Sequence, residues 1–501
     1  MPRIGDIRRL QRRDWLIIVG LTALAALARL LYLHHPVAIV FDETYFANFA
    51  HDYLTGQKFF DAEPPLAKFL IAGGEKLFGS DPGSLAHPFG WRIAPALFGT
   101  AVIPLMYLFA KKLFGGVVVP TLAAVFALLD GLLLVESRVA VIDIFVVFFN
   151  LLTYLLFLMH LQAKDRSRSI LWLVATGVAL GLGLAVKWIT LAFLAPAVLV
   201  LLMLYLSKKP WLKRLFRARS AAGVFGLIGA DPKNLHHPFV YIVLLGVLPA
   251  GVYTGLFSLH VPHDSTGEGI YGIHRQIFNY HHNLTATHPY GSEWYTWPFL
   301  LRPVAYYFNA TNGQWSGILA LGNPILWWGG VLAVVYAAYE LFKRRSFALL
   351  IILAAIVAHY GPWSIIGRVL FIYHYLGALP FVFLALAYAG GRSWEARPKD
   401  LSAQLFGWVL LTAAIAAVAG MLGWSLAGNA VGGLIAGGVV GAVATMTFAG
   451  ISVGKLSWGQ KQVIAFVALA VLVFGYFLPI WTGIPLDPTD YGHHLWLRRW
   501  L

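Results

Sequence analysis

Apolar runs of about twenty residues recur along almost the whole of this 501-residue chain, at about 15–35, 92–112, 117–136, 139–161, 170–186, 188–206, 239–259, 319–341, 347–364, 368–390, 403–425, 430–452 and 462–482. A helix of roughly 20 apolar residues crosses the hydrocarbon core of a bilayer while satisfying its own backbone polar groups. The pattern is therefore that of an all-α polytopic membrane protein, with roughly thirteen runs of spanning length. With 59% hydrophobic and only 12% charged residues, the chain lacks the polar surface that a water-soluble globule needs. The first run follows Arg8, Arg9, Arg12 and Arg13, is too long for a signal segment and shows no small-residue cleavage site, so it reads as a retained helix.

The net charge of +15 comes from short basic clusters between the runs: Lys111-Lys112 and residues 164–168, 208–219, 343–345, 392–399 and 455–461. Alternating the spans puts all of them on the side of the N-terminus, as the positive-inside rule requires. The charge is then topogenic, and no nucleic-acid partner is expected. The opposite, outer side receives residues 36–91, 260–318 and 485–501, and function is expected there. The absence of cysteine excludes disulfides and thiolate metal sites. Small residues at Gly433, Gly437 and Gly441 suit close helix packing, and the last spans read as packing or anchoring elements. This divides the chain into a catalytic region, 1–400, and C-terminal helices with an outer tail, 401–501.

Ionisable residues concentrate just beyond the first span, in Phe41-Asp42-Glu43 and again in Asp61-Ala62-Glu63-Pro64-Pro65-Leu66-Ala67-Lys68. Charges at membrane depth are costly and mark function or pairing. Tyr45, Phe46, Phe49, Tyr53 and Leu54 fall at helical spacing, predicting an interfacial amphipathic helix with Asp42 and Glu43 at its N-terminus. There the acids act either as plain caps or as oriented, ionised groups. Arg92, Glu136, Arg138, Asp143, Lys187, Arg302, His359, Arg368 and His374 complete the embedded or outer set. Arg138 and Asp143 are five residues apart, a poor spacing for a helical pair, so each is expected to have its own partner. Lys187 either snorkels toward headgroups or holds a phosphate. His281, His282 and His288 lack a metal-ligand spacing, and no metal is expected. Asn283-Leu284-Thr285 and Asn309-Ala310-Thr311 match a glycosylation acceptor pattern too common by chance to carry a function.

In order along the chain, these motifs resemble those of the protein O-mannosyltransferase family, polytopic GT-C-type glycosyltransferases. The likeness rests on Phe41-Asp42-Glu43, Asp61 to Lys68, Glu136-Ser137-Arg138 with Asp143, and Gly183 to Lys187-Trp188. It continues through His288-Pro289-Tyr290-Gly291-Ser292, Trp297-Pro298, Arg302-Pro303, Tyr373-His374-Tyr375-Leu376 and Pro479 to Gly483. The resemblance implies a GT-C-type fold of about 11–13 transmembrane helices with interfacial helices in the outer loops. It also implies transfer of mannose from a polyprenyl-phosphate donor to Ser/Thr hydroxyls of exported proteins at the outer face of a prokaryotic plasma membrane, with inversion at the anomeric carbon. Two positions depart from it: Glu63 stands where the family usually has histidine, and Ala67 where it usually has glycine. A glutamate before Pro-Pro is similar to the aminoarabinose transferases that modify lipid A, which makes glycosylation of a lipid or envelope glycan the alternative. Residues 260–318 are too few to hold the outer β-trefoil module of the eukaryotic members.

The chemistry follows without the name. A sugar on a lipid phosphate already carries a good leaving group, so transfer needs a base for the acceptor hydroxyl and cations for the phosphate. Asp42 is the expected base and Glu43 an orienting helper. Asp61, Glu63, Lys68, Arg138, Asp143, Lys187, Arg302, Arg368 and His374 are the expected substrate-binding residues, with Arg138, Lys187, Arg302, Arg368 and His374 toward the phosphate. No cofactor is required. A transporter or flippase for a lipid-linked solute also needs embedded charge, but it should show paired halves with matching broken helices, whereas here the charges crowd the first half and the outer loops.

Overall fold

The computed structural model describes residues 9–216, 229–396, 400–427, 441 and 456–500, with the side chains of 422–427 and Arg498 left out. Gly433, Gly437, most of the run at 430–452 and the end of the basic loop at 208–219 lie outside the described residues. The fold is a helical bundle. Among the described residues nine helices are long and apolar enough to cross a membrane, from Phe89–Phe114 to Trp458–Thr482, and one bent pair raises the number to ten. The runs at 15–35 and 368–390 fold as helices of 19 and 16 residues, Arg12–Leu30 and Leu379–Trp394. The protein is thus a multi-pass membrane protein.

The chain order explains how one end of the bundle is built. Helix α1 (Arg12–Leu30) leads through a loop to α2 (Glu43–Thr55), the helix expected from the aromatic spacing, and then to α3 (Leu66–Phe78) and the long α4 (Phe89–Phe114). Helices α3 and α4 cross closely: a Cβ on Gly74 would lie 2.3 Å from the carbonyl oxygen of Gly90, so only glycine fits there. Next come α5 (Val118–Leu128) and α6 (Gly131–Arg138), bent by 56° at the break between them. Asp130 makes that break: its carboxylate caps α6 through the Leu133 N–H at 2.9 Å and accepts the Trp327 indole N–H at 2.7 Å. Helices α7 (Asp143–Leu161) and α8 (Arg166–Leu184) follow, packed along each other.

One departure from an all-helical reading lies at residues 304–320. Strands β1 (Val304–Thr311) and β2 (Gln314–Ala320) pair antiparallel around Asn312-Gly313, both at positive φ (54° and 75°), the backbone that a tight hairpin turn requires. The C-terminal tail closes over the hairpin, with Trp315 and Leu486 exchanging two backbone hydrogen bonds of 2.8 Å. The span expected to start at 319 begins instead at Pro324, after the strand ends.

Candidate active site

Asp42 occupies the N-cap of α2, yet its side chain makes no capping hydrogen bond. Its carboxylate instead lies in the field of Asp143, Lys187 and Glu63. Burial first, then Asp143 and Glu63, push the Asp42 carboxyl up to about 7, against the opposing pull of Lys187. An acid held there loses its proton near neutral pH, as a general base must.

Its neighbour is committed elsewhere. Glu43 is fully buried and bidentate to Arg92, with Nε to Oε1 at 2.7 Å and Nη2 to Oε2 at 2.8 Å. The backbone N–H groups of Val40 and Ala140 complete its shell at 2.9 and 3.0 Å. Arg92 also donates to the carbonyls of Pro36 and Ala38 at 2.9 and 2.8 Å, so the pair folds the loop that delivers Asp42. Nothing of Glu43 is left to face a substrate.

Lys187 sits between α8 and the 3-10 turn Trp188–Phe193, with its Nζ 3.0 Å from Asp143 and 3.9 Å from Glu63. Burial pulls its ammonium down, but the two acids outweigh that and raise it, so it stays charged. Burial likewise raises Glu63 despite Lys187. Asp61 and Lys68 hold the loop that presents Glu63: their charges pair at 2.5 Å, Lys68 donates to the Glu63 carbonyl at 2.8 Å, and Asp61 accepts the Glu63 N–H at 3.0 Å.

Glu63 and Lys187 open into a cavity of about 790 Å³ whose other walls include Trp188, Ile189, Phe278, His281, Trp363, Ile365 and Arg368. A second cavity of about 500 Å³, lined by His288, Ser292, Glu293 and Ser364, shares Arg368 and Trp363 with the first. Arg368 makes neither a hydrogen bond nor an ion pair with the described residues, so its guanidinium is available to an anion. His374 is clamped between Trp297 (ring centroids 6.0 Å apart) and Trp363 (4.3 Å). Its Nδ1 lies 3.1 Å from the Phe371 nitrogen and 3.0 Å from the Phe371 carbonyl oxygen, which anchors the ring to its own turn in either tautomer. Burial, with Lys187 and Arg368 nearby, holds this imidazole well below its usual range, so it is neutral. Among the described residues no group of three or more His, Asp or Glu converges as a metal site.

Residues 19–263 match the family described as dolichyl-phosphate-mannose-protein mannosyltransferase, and residues 268–500 match the C-terminal four-transmembrane region of protein O-mannosyltransferase. The chain belongs to the protein O-mannosyltransferase family. It is 29% identical over 387 residues to the polyprenol-phosphate-mannose–protein mannosyltransferase of Corynebacterium glutamicum, covering 66% of this chain and 70% of that one. It is 25% identical to the protein of the same name from Mycolicibacterium smegmatis, over 100% of this chain and 95% of that one. The S. cerevisiae Pmt1–Pmt2 complex bound to its sugar donor superposes with a TM-score of 0.72 at 16% identity, over 99% of this chain and 93% of that one. ArnT from Cupriavidus metallidurans bound to undecaprenyl phosphate gives 0.58 at 17%, over 97% and 78%. These likenesses establish a GT-C-type glycosyltransferase fold, and the protein is a glycosyltransferase.

Within this O-mannosyltransferase the structure separates the sequence candidates. It gathers Asp42, Glu63, Asp143, Lys187, Arg368 and His374 into one region, and places Asp61 and Lys68 behind it. Arg138 is elsewhere occupied: its guanidinium donates at 2.8–3.0 Å to the carbonyls of Ala28, Arg29, Leu31 and Tyr32, capping the C-terminus of α1. Arg302 donates to Arg499 O at 2.7 Å and Pro289 O at 2.9 Å, tying the outer loop to the tail, and lines neither cavity. Where the family usually has a histidine this chain has Glu63, and the imidazoles of the larger cavity come from His281 and His282. Tyr373, quoted in a motif but given no role from the sequence, also faces this region, where its buried phenol is raised first by burial and then by Asp42 and Asp143.

Proposed function

We propose that this protein transfers mannose from a polyprenyl-phosphate donor to Ser/Thr hydroxyls of exported proteins, with Asp42 as the base. The supporting observation is the placement of Asp42, unpaired at a helix N-terminus, in the field of the same Lys187 that lines a largely apolar cavity of about 790 Å³. The carrier chain lies along Trp188, Ile189, Phe278 and Ile365, and its phosphate meets Arg368 and Lys187. Asp42 takes the proton of the acceptor hydroxyl, whose oxygen bonds to the anomeric carbon as the bond to the phosphate oxygen breaks. Charge then grows on the departing phosphate, where Arg368, Lys187 and the neutral His374 stabilise it. A single displacement of this kind inverts the anomeric centre. In this reading the N-terminus is cytoplasmic and Asp42 lies on the outer face of the plasma membrane, and the basic clusters between the spans support that orientation. The reaction as proposed requires no cofactor.

The names of the relatives support mannose and a protein acceptor. Purified protein supplied with polyprenyl-phosphate mannose and a Ser/Thr peptide should form an O-linked mannosyl peptide, and Asp42→Asn should abolish most of that activity while still binding donor. Product formation from a lipid or glycan acceptor alone would overturn the acceptor assignment.

A further inference from the structure

The residue before Asp42 is held in an uncommon conformation. Phe41 has φ 49°, in the left-handed region where a Cβ crowds the backbone and side-chain-bearing residues are uncommon. Such a backbone persists where its surroundings over-determine it. Here the Phe41 ring lies flat on Tyr306, with centroids 4.2 Å apart and planes 9° from parallel, and Tyr373 meets it edge-on at 6.2 Å.

Tyr306 is itself specially placed. In the hairpin, Ala305 pairs with Leu319 and Tyr307 with Ile318, so Tyr306 is the extra residue of a β-bulge. A bulge turns a side chain out of the regular alternation and is a common way to aim one at a site. The Tyr306 hydroxyl donates to Glu136 Oε1, and Glu136 is fully buried in the last turn of α6. The hairpin is fixed in turn by the tail, through the Trp315–Leu486 bonds and through Ser316, which donates to Gly483 O.

We infer that Tyr306 is a positioning residue for transfer: the bulge aims it, Glu136 holds its hydroxyl, and its ring clamps Phe41 in the left-handed turn that directs Asp42 at the acceptor. The inference rests on Asp42 being the base. Tyr306 touches no substrate in this scheme, so its loss should act on kcat and leave the KM for donor unchanged. Misplacing a reacting group by about 1 Å can cost roughly 10²-fold, and Tyr306→Leu and Phe41→Leu are each expected to lower kcat on that order.

The test measures kcat and donor KM for Tyr306→Leu, Tyr306→Phe, Phe41→Leu, the double Leu variant and each change in an Asp42→Asn background. Tyr306→Phe, which keeps the ring, should retain clearly more activity than Tyr306→Leu. The double variant should be no worse than the poorer single one, because both remove the same contact. Neither change should cost anything further once Asp42 is Asn. A Tyr306→Leu enzyme with parental kcat, equal losses in the Phe and Leu variants, multiplying losses in the double variant, or a matching rise in donor KM would each overturn the inference. If Tyr306→Leu does not insert, the Phe41→Leu and Tyr306→Phe comparisons decide it. Full activity in Asp42→Asn itself would instead remove the base reading on which the inference stands.

Discussion

Glu43 receives two hydrogen bonds from Arg92, at 2.7 and 2.8 Å, while Asp42 next to it receives none as a cap. Adjacent acids thus carry opposite burdens, one fixing the loop and one facing the site. Breaking a buried pair from one side leaves an uncompensated charge and costs about 3–5 kcal/mol. Glu43→Gln is therefore expected to lower the thermal unfolding temperature sharply. Asp42→Asn removes a half-buried acid without a partner and should leave that temperature the same or higher, while turnover falls by about 10²–10⁴-fold. Unfolding followed in detergent alongside transfer rates separates the two; equal destabilisation by both changes would refute the division of labour.

The pH dependence of kcat/KM follows from the groups around Asp42. A base with its proton affinity raised to about 7 is active only when deprotonated, so the rate should climb as pH rises through about 7. Asp143 raises that value and Lys187 lowers it. Asp143→Asn should accordingly move the acid limb to lower pH, and Lys187→Gln should move it to higher pH. Limbs that stay in place in both variants would mean that another group sets the profile.

Arg138 is expected to matter for stability rather than donor recognition. Its guanidinium satisfies four carbonyls at the end of α1 through two nitrogens, a geometry that a lysine ammonium cannot reproduce. Arg138→Lys and Arg138→Ala should both lower the unfolding temperature, Ala the more, with donor KM in the surviving protein near the parental value. A rise in donor KM without loss of stability would return Arg138 to the phosphate.

What could be read from the chain divides along a physical line. Spanning helices and the α2 helix were legible because periodicity and run length are local signals, and Asp42, Asp143 and Lys187 stood out because charge at membrane depth is conspicuous. The work of Glu43 and Arg138 was not, since their partners lie 49 and up to 110 residues away, and a main-chain carbonyl leaves no trace in composition. The hairpin was missed although a local signal for it exists. Asn312-Gly313 between β-branched and aromatic residues is a strong turn signal, outweighed in an all-helical reading by the spanning runs on either side. The bulge at Tyr306 follows from register, which only the folded pairing reveals.

Arg368 carries the last prediction. It lines both cavities, and no described residue pairs with its charge, whereas Lys187 is shared between Asp143 and Glu63. An incoming phosphate should therefore depend on Arg368 more than on Lys187 for ground-state binding. A charge-assisted hydrogen bond contributes about 1.5–3 kcal/mol, so Arg368→Ala should raise donor KM roughly 10- to 100-fold, with Arg368→Lys between it and the parent. Free polyprenyl phosphate, the other product, should inhibit the variant correspondingly less. Because Arg368 also opposes the charge that grows on the leaving phosphate, kcat should fall as well, though less than in Asp42→Asn. Unchanged donor KM together with unchanged inhibition by polyprenyl phosphate would show that the phosphate sits away from Arg368 and that Lys187 holds it alone.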